Sequence, residues 1–592
     1  MPCLNSLVKA IRVCARISRL LLLGVRSPGH FFCGSAPGPV PKAFGVIRVS
    51  HKCLALSPPV VKSVSRLLIS HPFVEHPLDR IGRPNRTDPD KTNRINAALI
   101  SVSTKSYIAC DLGAESGRVV LGELSSNKIH LKEVHRFLTG PTIVRGSLRW
   151  DIVKFFDEIK RGLSAIHRDH QNPAGVSVDA WGVDYAYMSR TEPLIGLPFH
   201  YRDNRTDQSY PAMLKKAGRD LIFQETGIQF MQINTLYQVY DDVVCRAGLM
   251  EIADHFLPIA DYLNFLLSGE AVTEMSSAST TQIFNPRTGA WSEALIEHLG
   301  SPRKLFPSVV RSGTLLGPLA NEIASETGLS ACRVSASCSH DTGAAVAAVP
   351  AERKNWAFIS SGTWSLIGVE TDEPKIDDAS RNANFTNELG YGGSVRFLKN
   401  IMGLWLLQET RRDLLAAELD LDYADLNLAA ATAPALRSLV YPNHDDFLKP
   451  GNMIEKIRSF CKASGQAAPE TPGEIARCIL ESLALSYADI IDQLRGTFGF
   501  QIDSLHIVGG GSQSKLLNQF SADATGLPVL AGPVEATALG NVLIQAVTDG
   551  ELSSLSEMRQ IIRNSFSIER FEPISSDQWM AALERYKGIT RQ

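Results

Sequence analysis

Two stretches about 250 residues apart follow the same order of residues: an apolar strand, a turn rich in glycine and small polar residues, then a second apolar strand. The first is Tyr107–Asp111, the turn Leu112–Arg118 and Val119–Leu124. The second is Ala357-Phe-Ile359, the turn Ser360-Ser-Gly-Thr363 and Trp364–Val369. Each reads as a β-hairpin whose turn leaves backbone N–H groups free to face a ligand. A chain that opens two halves in this way is expected to be α/β and duplicated, with a cleft between the halves. A third unit, the strand Ser504–Val508, then Gly509-Gly-Gly511 and a helical pattern over Lys515–Thr525, has the strand, glycine turn and helix expected at a phosphate or nucleotide site. Helical spacing recurs over Trp150–Ala165, Gly403–Leu415 and Pro472–Leu494, and Ala174–Val178 reads as a strand. The polar run Val349–Asn355 is the expected boundary between the halves.

The duplication does not extend to the start of the chain. Residues 1–100 hold 15 Lys and Arg against 4 Asp and Glu, with 11 of the 31 Pro and no Tyr or Trp. No acid precedes Glu75. The rest of the chain carries the opposite charge balance and all the large aromatics, so residues 1–104 are expected to be a disordered leader without a role. A targeting peptide is the alternative, with Val8–Leu23 as a basic amphipathic helix. A nucleic-acid arm would lack Tyr or Trp for stacking. No apolar run approaches the ~20 residues a bilayer span needs. The ten Cys form no CxxC pair, which excludes a zinc cage or thioredoxin motif and fits a reduced, cytoplasmic protein.

Four places carry candidate chemistry. Asp111-Leu-Gly-Ala-Glu-Ser-Gly-Arg118 offers glycines for close backbone approach, the Ser116 hydroxyl and the Arg118 charge. Asp111, at a strand end, could hold Mg²⁺ directly or through water. An ordinary hairpin is the alternative, and the absence of Gly-Lys-Ser/Thr excludes a Walker loop. Ser339-His-Asp-Thr342 precedes a run of small residues and opens a helix; Asp341 is either its N-cap or a carboxylate base for an attacking hydroxyl. Ser361-Gly-Thr363 suits a phosphate wall or a self-satisfied turn. Three consecutive glycines at 509–511 are costly unless the backbone needs positive φ or close approach, and they lack the Gly-x-Gly-x-x-Gly spacing of a dehydrogenase. Asp203 and Arg205 read as a surface ion-pair turn, and Gln229, Gln232 and Asn234 as polar residues in an otherwise apolar stretch.

Taken together, Asp111–Arg118, Asp179–Asp184, His340–Thr342, Ser360–Ser365, Lys399–Gln408 and Val508–Gly511 resemble the FGGY carbohydrate kinases over about residues 105–575. The resemblance implies two ribonuclease-H-like domains of the actin, hexokinase and Hsp70 type. Residues 105–350 would bind sugar and supply the catalytic acid, and residues 351–592 would bind ATP. The implied reaction is ATP-dependent phosphorylation of a ketose, L-rhamnulose, at its 1-hydroxyl; a kinase for a related ketose such as L-fuculose, or a non-catalytic ATP-gated protein, are the alternatives. Carried over by motif, Asp341 is the proton acceptor. Ala114, Glu115, Ser116, Gly117 and Arg118, with Thr363, Gln408 and Gly510, contact ATP. Gly182, His340, Asp341, Thr342 and Asn400 contact the sugar, and Asp111 is the Mg²⁺-associated acid. Glu115 departs from the small residues common in that turn, and its charge would repel a triphosphate unless the side chain points outward.

Overall fold

The computed structural model describes residues 104–169, 171–574 and 577–590. The leader, including Val8–Leu23, falls outside the described residues apart from Thr104.

The first half is built on β1 (Lys105–Leu112), β2 (Ser116–Ser125) and β3 (Lys128–Leu138), followed by α1 (Ile152–Arg168), β4 (Gly175–Ala180), β5 (Thr314–Pro318), β6 (Arg333–Ala336) and α2 (Asp341–Ala347). The sheet order is β5-β6-β4-β1-β2-β3. β1, β2 and β3 form an antiparallel meander, while β4 runs parallel to β1 and β6 parallel to β4. β1 and β4 are buried along nearly their whole length, because layers cover both faces of the sheet. On one face Phe155, Ile159 and Leu163 of α1 pack with Ile108, Cys110 and Val119. Burial stabilises each of those large side chains by roughly 1.5–3 kcal/mol. The helix starts where the Asp151 carboxylate accepts from Lys154 N at 3.2 Å.

The second half repeats the plan with β7 (Trp356–Ser361), β8 (Trp364–Thr371), β9 (Thr386–Leu389), β10 (Val395–Met402), α3 (Trp405–Ala416), α4 (Pro472–Gly496), β11 (Ser504–Val508), α5 (Lys515–Thr525), β12 (Val529–Ala531), α6 (Ala536–Thr548) and β13 (Glu569–Phe571). Its sheet order is β9-β10-β8-β7-β11-β12-β13. A meander of β7, β8 and β10 is followed by parallel β11 and β12, the same sequence of pairings as in the first sheet. The long helix α4 is set by a capping box, in which Thr471 and Glu474 satisfy each other's backbone N–H and Pro472 follows the cap.

The two halves meet through helices. α6, from the second half, packs on β1 and β4 of the first, and its Leu539, Val542 and Leu543 share a core with Tyr107, Ala109 and Val120. α2 lies against α6, and the small-residue run after Asp341 permits this: a Cβ placed on Gly540 would sit 1.9 Å from the Ala344 carbonyl oxygen. Residues 350–355 cross from α2 to β7 without regular structure.

Two expectations change. The first turn is shorter than Leu112–Arg118, because Leu112 pairs with Gly117 and Asp111 with Arg118; only Gly113, Ala114 and Glu115 lie outside the strands. Asp203 is buried, and Arg205 is half-buried with its side chain only 6% exposed, rather than on the surface. Arg205 donates to Asp242 and Gln238, each at 2.7 Å, and Asp203 accepts from Leu148 N at 2.7 Å.

Candidate active site

The strand ends and helix starts of both halves converge on a cavity of about 430 Å³. From the first half come Asp111, Ala114, Glu115, Ser116, Arg118, Gly182, His340, Asp341 and Thr342. From the second come Thr363, Asn400, Gln408 and Gly510. Gly117 is the one sequence-predicted residue that does not line the cavity; it lies in β2 under the Phe137 ring. Lys399, next to Asn400, points to the other face of β10 and donates to Gln493 at 3.0 Å.

Asp341 owes its position to β4. At that strand's last residue the chain pairs with the segment before α2: Ala180 N donates to Ser339 O at 2.9 Å, and Ala180 bridges His340. His340 therefore occupies the helix cap and Asp341 the first turn. The Asp341 carboxylate accepts from its immediate neighbour, Thr342 N at 2.5 Å and Thr342 Oγ1 at 3.1 Å, and not from an amide farther along, so the cap reading is not met. The side chain remains 29% open to the cleft. Burial, and then the nearby Asp111 carboxylate, push its pKa up to about 7. A base must be ionised to act. We therefore expect kcat/KM to fall tenfold per pH unit below about 7, read from a pH–rate profile; a flat profile down to pH 5 would remove Asp341 as the base.

One side of the cavity is polar and tightly tied. Asn400 N donates to Gln229 Oε1 at 2.8 Å, which joins β10 to a loop of the first half. Trp181 Nε1 and Trp150 Nε1 both donate to buried Asp184, at 3.0 and 2.6 Å, and this fixes the loop that carries Gly182. Glu388, on β9, also lines the cavity.

The opposite side has the character of a phosphate wall. Gly509 takes φ +83°, and a Cβ on Gly511 would lie 2.0 Å from Ser361 Oγ, so the triple glycine meets both of its expected requirements; Gly510, with nothing within 4 Å, faces open space. Gln408 Oε1 is buried without a hydrogen-bond partner. Arg118 donates to Asp111 at 2.5 Å and to Glu535 across the halves. Glu115 is turned to Arg412 of α3, which also holds Glu409; this pairing answers the repulsion expected of its charge. Asp111 meets Arg118 through Oδ2 alone, leaving a hard oxygen suited to a divalent cation. Among the described residues no group of three or more His, Cys, Asp and Glu forms a metal cage.

Comparison with known proteins agrees with this geometry. The model of the FGGY family of carbohydrate kinases, N-terminal domain, matches residues 106–348, and that of the C-terminal domain matches residues 357–548. A rhamnulokinase of Bacteroides thetaiotaomicron is 40% identical over 489 residues, covering 82% of this chain and 100% of the relative. A rhamnulokinase of Bacillus subtilis is 39% identical over 472 residues, covering 80% of this chain and 96% of the relative. Among solved structures, gluconate kinase from Lactobacillus acidophilus superposes with a TM-score of 0.69 at 17% identity, covering 83% of this chain and 98% of that one. Plasmodium falciparum glycerol kinase with ADP superposes with a TM-score of 0.65 at 14% identity, covering 82% and 98%. These two establish the actin- and hexokinase-like fold, while the family models and the rhamnulokinases establish kinship: the chain belongs to the FGGY family of carbohydrate kinases.

Proposed function

We propose that this enzyme transfers the γ-phosphoryl group of ATP to the 1-hydroxyl of L-rhamnulose, giving L-rhamnulose 1-phosphate and ADP in L-rhamnose breakdown. One observation carries the reading: a carboxylate with its pKa near 7, Asp341, opens on the same cavity as two facing glycine-bearing turns. The 38–40% identity to rhamnulokinases over most of the chain supports the choice of sugar.

Phosphoryl transfer asks for positioning and charge neutralisation more than covalent help. The backbone N–H groups of Ala114 and Glu115, the Ser116 hydroxyl and the Thr363 turn would grip the phosphates from both sides, with Arg118 adding positive charge. Magnesium arriving with the triphosphate would sit near Asp111 and offset its charge. His340, Thr342, Asn400 and Gly182 would orient the ketose so that its terminal hydroxyl meets Asp341, which takes the proton as the oxygen attacks phosphorus. Closure of the halves would keep water, the competing acceptor, out of the cavity. In this reading residues 105–350 form the acceptor-binding domain and residues 351–592 the nucleotide domain. Among the described residues no helix is long and apolar enough to cross a membrane; the scattered cysteines without a CxxC pair support a reduced, cytoplasmic location.

A coupled ADP-release assay over a ketose panel tests the assignment. Expected is a kcat/KM for L-rhamnulose at least tenfold above those for L-fuculose and D-xylulose, since a site built to hydrogen-bond particular hydroxyls rejects ketoses that leave its buried polar groups unpaired. Equal rates, or a preference for another ketose, would overturn the choice of sugar.

A further inference from the structure

The strands β9 and β10 bring two charged side chains into the floor of the site that neither the motifs nor the resemblance identifies. Glu388 is 3% exposed and lines the cavity; Arg396 is 0% exposed and lies behind it. Arg396 Nη2 donates to Leu389 O at 2.9 Å and to His340 Nδ1 at 3.2 Å. With Nδ1 accepting, the imidazole proton resides on Nε2, which lies 3.4 Å from Asp341 Oδ1. Burial and the Arg396 charge hold His340 well below its ordinary pKa, in keeping with a neutral ring. Arg396 thus reaches from the second half to set which nitrogen of a first-half histidine faces the reacting centre.

Glu388 is less fully engaged. Its Oε1 accepts from Asn400 Nδ2 at 3.5 Å. Its Oε2 lies 3.2 Å from Arg396 Nη1 and 3.5 Å from His340 Nδ1, yet makes a hydrogen bond with neither. Arg396 Nε and Nη1 are likewise without hydrogen-bond partners. A buried carboxylate oxygen that is charge-paired but not hydrogen-bonded is costly unless something completes it. The Thr386 side chain is also within reach of the carboxylate; on the wall of a sugar cavity, a ligand hydroxyl can donate where Arg396 and His340 do not.

We propose that Glu388 is a recognition residue that accepts hydrogen bonds from hydroxyls of the acceptor sugar, and that Arg396 is a positioning residue that holds Glu388 and the His340 tautomer in place. The proposal rests on the ketose-kinase reading and deepens it: the acceptor must be hydroxyl-rich at the carbons that face β9, not only at the carbon phosphorylated.

The test begins with wild-type enzyme on the ketose panel. Turnover of no ketose there defeats the functional reading itself, before any variant is made. With the preferred ketose in hand, Glu388→Gln keeps the side chain's shape but removes its charge and exchanges one acceptor for a donor. Expected is a ketose KM raised about 10- to 100-fold, with the ATP KM within about twofold, since hydrogen bonds to charged groups are the strong ones. Arg396→Lys keeps the positive charge without the fork, and should raise the ketose KM and lower kcat together while sparing the ATP KM. Melting temperatures with and without ketose separate recognition from scaffolding: Glu388→Gln should melt near wild type but lose most of the ketose-induced rise. If Glu388→Gln does not fold, Glu388→Asp, which withdraws the carboxylate by one methylene, should give the same KM shift. A folded Glu388 variant with wild-type ketose KM overturns the proposal, as does an equal rise in both KM values. Failure of both Glu388 variants to fold would give the residue a structural role and overturn it too.

Discussion

Asp341→Asn is expected to lower kcat by about 10²–10⁴-fold, the usual worth of general-base help, while the ATP KM stays within about twofold. The substitution is close to isosteric. The amide oxygen can still accept from Thr342 N, so the start of α2 need not move. What disappears is the proposed proton acceptor. The sign of the pKa shift separates this from a stability effect. Asp341 titrates near 3.8 when unfolded and near 7 in the fold, so the native state binds the extra proton between those values and its stability falls as pH rises through that window. At pH 8 the ionised carboxylate is therefore a liability beside Asp111, and a neutral amide removes it. The variant should melt at or above the wild-type temperature at pH 8 while turning over far more slowly. Steady-state kinetics and a thermal melt at that pH check both halves of the expectation. A kcat within threefold of wild type would end the base assignment. A lowered melting temperature would show that the carboxylate also supports the helix start.

The sequence carries some of this site openly and the rest only through the fold. Glycine turns were legible because their cause is local: positive φ at Gly509 and the approach of Ser361 to Gly511 can be met by few other residues. The small residues after Asp341 were legible for the same reason. Glu388 and Arg396 were not, because their meaning depends on a strand order that sets β10 beside β8 and β9 beside β10. A weaker signal was available. Arg396 and Asn400 are four residues apart in one strand and so share a face, while Lys399 faces the other way. A charge in phase with a predicted sugar contact is therefore a better candidate than its immediate neighbour. Arg205 was misread for the opposite reason: its partners, Asp242 and Gln238, lie on a helix 30–40 residues on, and an acid two residues away in sequence looked like a sufficient partner. Glu115 shows the limit of motif comparison. Its charge looked misplaced beside phosphate until the fold supplied Arg412 from the other half.

Gly540→Ala is expected to lower the melting temperature by roughly 1–6 °C, on an overpacking cost of about 1–3 kcal/mol in a protein of this size, and to cut kcat/KM by about 10²-fold. The loss of activity is the more informative effect, because Gly540 touches no substrate position. Its added Cβ would lie 1.9 Å from Ala344 O and 2.5 Å from Ala344 C, and these are backbone atoms that cannot swing aside as a side chain would. To admit the methyl, α2 and α6 must separate. α6 is held on β1 and β4 by Leu539, Val542 and Leu543, so the short helix α2 is the part that yields. Asp341 is its first residue, and a shift of about 1 Å in a reacting group is worth two orders of magnitude. Gly588→Ala provides the control. That glycine lies exposed in the C-terminal helix Asp577–Thr590 with nothing within 4 Å of the added carbon. Its substitution should leave kcat/KM unchanged and hold or slightly raise the melting temperature. If Gly540→Ala lowers the melting temperature but spares kcat/KM, the α2–α6 crossing stabilises the fold without placing the base, and the position of Asp341 must then be set by its backbone link to β4 alone.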